Sequence, residues 1–79
     1  MNNVNKKIEF VVFCIENTAK RLGTSGTQVY QILSKTDGIN TFLFPSYDVL
    51  HTQAKEYIVD EVLDYIKTHN TTVTNSATS

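Results

Sequence analysis

The chain is predicted to be all-α: a compact bundle of three principal helices, about residues 6–22, 26–36 and 53–68, with short helical turns between the second and third. Three observations predict it. Apolar residues recur at helical spacing in three separate stretches. The segment Arg21-Leu22-Gly23-Thr24-Ser25-Gly26 reads as a helix end followed at once by a helix start. The one stretch that could be a strand, Ile39 to Phe44, has no second convincing strand to pair with.

In the first helix Ile8, Val11, Val12, Ile15, Ala19 and Leu22 make the expected buried stripe. Phe10, Phe13 and Cys14 lie off it, so the helix is apolar nearly all round and needs cover on several sides or a partner for its second face. Gly23 suits the left-handed residue that closes a helix. Ser25, with Gln28 three positions on, has the spacing of a capping box. The second helix turns Val29, Ile32 and Leu33 inward and Gln28, Gln31 and Lys35 outward, and Gly38 is expected to end it. Pro45 is expected to separate a helical turn at Ile39–Phe44 from another at Tyr47–Leu50, the latter capped by Ser46. Thr52 reads as the N-cap of the last helix, which buries Ala54, Ile58, Val62, Tyr65 and Ile66, with Tyr57 and Val59 beside them.

A domain assigned to residues 6–69 sits between two polar ends, 1–5 and 70–79, which are expected to be disordered. Hydrophobic residues are 41% of the chain and charged ones 19%, enough apolar content for a real core. Cys14 is the single cysteine, which rules out an internal disulfide or a cysteine-based zinc site and points to a reducing cytoplasm. Its apolar run, Phe10 to Ile15, is far below the roughly 20 residues that span a bilayer, and nothing reads as a signal peptide.

The net charge of -1 offers no global attraction to nucleic acid, but the charges are unevenly placed. Lys6, Lys7, Lys20, Arg21 and Lys35 face only Glu9 and Glu16 in residues 1–36, whereas Lys55 and Lys67 face six acids in residues 37–79. One small body can then carry a basic and an acidic face. Glu56, Asp60 and Asp64 fall at i, i+4, i+8 on the last helix, either a solvated face or a surface for a basic partner.

Two binding surfaces follow. In the first, Phe10 and Phe13 anchor a protein partner and Glu56, Asp60 and Asp64 steer it. In the second, Ala19 to Leu33 is a DNA-binding helix-turn-helix: Ser25, Thr27, Gln28 and Gln31 meet base edges, and Lys20, Arg21 and Lys35 meet phosphates. So few cations supply only modest phosphate affinity, and a helical hairpin with a tight turn explains the same residues. Asp48, His51 and Thr52 form a polar cluster in which histidine would be the base of an enzyme. No nucleophile is paired with it, so a structural capping role is expected, with no catalytic residues, metal or cofactor.

Phe10-Val-Val-Phe-Cys-Ile-Glu-Asn17, Ser25-Gly26, Val29-Tyr30, and above all Tyr47-Asp-Val-Leu-His-Thr-Gln53 with Glu56-Tyr-Ile-Val-Asp60, resemble the bacterial family called domain of unknown function 3791. The likeness covers about residues 8–67, and the Thr/Ser/Asn tail after His69 is additional. It implies a short folded core with no active site. Members are often encoded beside a family that resembles ADP-ribosyltransferases, which implies an antitoxin-like or accessory role for this chain. The expectation is a non-enzymatic protein-interaction module, with a helix-turn-helix DNA-binding regulator as the alternative; homo-oligomer formation is compatible with both.

Overall fold

The computed structural model describes residues 2–78, with the side chains of residues 5–69. It is all-α. Helix α1 (Asn2–Leu22) leads into α2 (Gly26–Lys35); a π-helical segment (Ile39–Leu43) continues into α3 (Phe44–Leu50), and α4 (Lys55–Thr78) closes the chain. The disorder expected for residues 1–5 and 70–79 concerns positions whose side chains, Asn5 excepted, lie outside the described residues. Among the described residues no helix is long and apolar enough to cross a membrane.

The joint between α1 and α2 takes its form from two residues. Gly23 is left-handed, with φ 70°. Its N–H donates to the Lys20 carbonyl (3.2 Å), and the Thr24 N–H reaches back to Ala19 (2.9 Å), which together form a Schellman closure of α1. Ser25, extended at φ -95° and ψ 157°, then caps α2 by accepting the Gln28 N–H on its side chain. Lys20 and Arg21 occupy the last turn of α1, where cations suit the negative end of the helix dipole.

Helix α1 is the central element, packing against α2, α3 and α4. It is rotated from the orientation its sequence predicts. Phe10, Val11, Cys14, Thr18 and Ala19 are buried, whereas Ile8, Val12 and Leu22, expected inside, are about half exposed. The reason is competition between two apolar stripes on one helix. Rolling toward Phe10 and Cys14 lets the Phe10 ring meet Tyr47 of α3 edge-on, with centroids 5.5 Å apart, and brings both residues into the core with Val29, Leu33, Leu43, Leu50, Ile58 and Val62. An aromatic ring removes more apolar area from water than the isoleucine or valine it displaces.

Three local expectations are corrected. Asp37, not Gly38, takes the left-handed conformation after α2, with φ 56°; its carboxylate accepts from Asn40 and its carbonyl from the Thr41 N–H and hydroxyl. Gly38 is right-handed, and its lack of a side chain is a matter of space: a Cβ there would lie 2.8 Å from Cε2 of Tyr65. Pro45 does not divide the helical path. The Phe44 N–H bonds to Ile39, five residues back, and this widened turn shifts the register just where the proline ring would otherwise strike the preceding turn; Ser46 is consequently inside α3 rather than its cap. Finally, α4 starts later than Thr52 predicts. The Gln53 N–H is used by Leu50 and the Ile58 N–H by Ala54, so residues 51–54 form the corner and Ala54, an exposed residue, holds the position before the helix.

Two substitutions test this packing. Tyr65 is held by stacking on Phe42 (4.6 Å) and by a 2.7 Å hydrogen bond with Thr36, so it cannot easily yield to a new methyl group. Gly38→Ala is expected to cost about 1 to 3 kcal/mol in urea unfolding; unchanged stability would mean that the ring is not so held. Thr18 is fully buried and its hydroxyl has no partner. Thr18→Val removes that unmet polar group at nearly constant shape and is expected to raise stability by about 1 kcal/mol, a gain of roughly 4 to 8 °C in Tm for a domain of this size.

Candidate functional site

The C-terminal end of α1 lies across α4, and between them runs an open groove of about 420 Å³. Leu22, Leu63 and Ile66 supply its apolar walls, and Asp60, Asp64 and Lys67 its polar border. Local helix chemistry puts them there. Leu22 is the last residue of α1 before Gly23 turns the chain away, which leaves its side chain 48% exposed at the mouth. On α4, Ile58, Val59 and Val62 are buried; Leu63 and Ile66 occupy the flank of that stripe, half-buried, while Glu56, Asp60 and Asp64 are exposed.

Arg21 bridges the groove's border. Its guanidinium donates to Oδ1 of Asp60 at 2.5 Å, joining α1 to α4 and the basic half of the chain to the acidic half. Both side chains are about half exposed, so the pair contributes at most about 1 kcal/mol and mainly orients the two groups. Asp64, one turn further along α4, has no ion-pair partner among the described residues.

The combination of Phe10 and Phe13 with the acidic row is not formed. Phe10 is only 6% exposed and belongs to the core. What remains of its surface lines, with the 37% exposed Phe13, a cleft bordered by Lys6, Glu9, Tyr47 and His51, away from the acidic row. The apolar residues that do accompany Asp60 and Asp64 are Leu22, Leu63 and Ile66. The only hint of Leu63 in the sequence was an apolar residue set between two outward acids, outside the main stripe.

The residues of the DNA-binding alternative divide. Ser25, Thr27, Gln28, Gln31 and Lys35 are all exposed, and Gln28, Gln31 and Lys35 share the outer side of α2. Ser25 is occupied by its capping bond. Lys20 and Arg21 line a cleft with Lys55 and Glu56; both are exposed, and Arg21 is held by Asp60.

The polar cluster at residues 48–52 is rearranged too. Asp48 does not meet His51. Instead the His51 ring stacks on Tyr47 (4.3 Å), and its Nδ1–H donates to the Tyr47 carbonyl (2.7 Å), satisfying the end of α3 rather than the start of α4. His69 repeats the arrangement on Tyr65, with Nδ1 2.9 Å from the carbonyl and ring centroids 3.9 Å apart. Tyrosine and histidine four apart on a helix thus form the same unit twice. Thr52 is exposed. Cys14 is buried and its thiol is pushed up to about 12 by desolvation, which keeps it protonated and unreactive near neutral pH. Among the described residues no group of three or more His, Cys, Asp or Glu could hold a metal ion.

Residues 9–69 match the family model described as Protein of unknown function (DUF3791). No curated protein and no solved structure matches the chain.

Proposed function

The chain belongs to the DUF3791 family, and we propose that it is a non-enzymatic protein-interaction module, an antitoxin-like or accessory partner of an ADP-ribosyltransferase-like protein. The observation that carries this reading is the amount of large apolar surface left in water. Ile8, Val12, Leu22, Tyr30 and Tyr57 are each about half exposed and Val49 is 66% exposed, on a domain small enough to need most of its apolar residues inside. Apolar surface withheld from the core of a small protein is what an interface uses. The identity of the partner rests on the gene neighbourhood that the family resemblance implies, and the module acts in the cytoplasm. Co-expression with the neighbouring transferase-like protein, followed by size-exclusion chromatography with light scattering, is expected to give a stoichiometric complex. Two separate peaks at micromolar concentration would overturn the reading.

A second reading, a helix-turn-helix regulator, is favoured by the Schellman joint and by the exposed outer side of α2 with Gln28, Gln31 and Lys35. Because Asp60 holds Arg21, the Asp60→Asn variant is expected to bind a promoter duplex more tightly than the wild type, with a salt slope steeper by about one counterion. No gel shift by either protein at low salt would remove this reading.

A further inference from the structure

We draw no further inference here: the strongest candidate, the apolar patch along the seam between α1 and α2, where Val12 and Tyr30 are each about half exposed beside a cleft of about 350 Å³ lined also by Ile15, Glu16, Gly26 and Thr27, carries nothing, because Glu16 is the single charge in its lining and nothing in the structure shows what covers it.

Discussion

Burial of one side of α1 is the constraint on which the other elements depend. The helix is apolar around most of its circumference, and α2, α3 and α4 all pack on it. Among the described residues, ten buried side chains from all four helices and the π segment meet in a single core, and Phe10, Val11, Cys14 and Ala19 of α1 are the largest contribution to it. A small domain has little area to spare for a second core. What α1 does not bury, at Ile8, Val12 and Leu22, therefore remains on the surface. The apolar surface that α1 leaves in water is the remainder of an over-apolar helix.

The segment between α2 and α4 shows how tightly this core constrains the backbone. Asp37 takes a left-handed conformation that is uncommon for a residue with a side chain, compensated by its bonds to Asn40 and Thr41. Gly38 gives up its usual conformational role to make room for Tyr65. The π turn then carries the chain past Pro45 and brings Leu43 and Leu50 into the core from one continuous helical path. Aromatic contacts hold the segment from outside: Phe42 on Tyr65, and Tyr47 between Phe10 and His51.

Charge has a different role from packing here. The asymmetry between the two halves of the chain is joined at the one ion pair Arg21–Asp60 found among the described residues, on a surface where such a pair adds little stability. Its effect is on which charges remain free. Arg21 is taken from the set of cations open to phosphate, and Asp64 is left open beside an apolar groove.

The sequence by itself determined the number of principal helices, the turn at Gly23 and the cap at Ser25, because each depends on contacts within a few residues: helical periodicity, a left-handed glycine, and a hydroxyl three positions before an N–H. It also determined the outward acidic row on α4, whose spacing needs only the helix. The family was legible as well, from the segments around Tyr47–Gln53 and Glu56–Asp60, and residues 9–69 carry it. Only the tertiary structure decided which of two apolar stripes α1 buries, since Phe10 and Val12 are equally suited to a helix and only Tyr47, thirty-seven positions later in the chain, makes Phe10 the better choice. It decided too that the acids flank Leu22, Leu63 and Ile66 rather than Phe10 and Phe13. That pairing joins residues about forty positions apart, and it depends on how α4 lies across α1, a matter of long-range packing that no local spacing records.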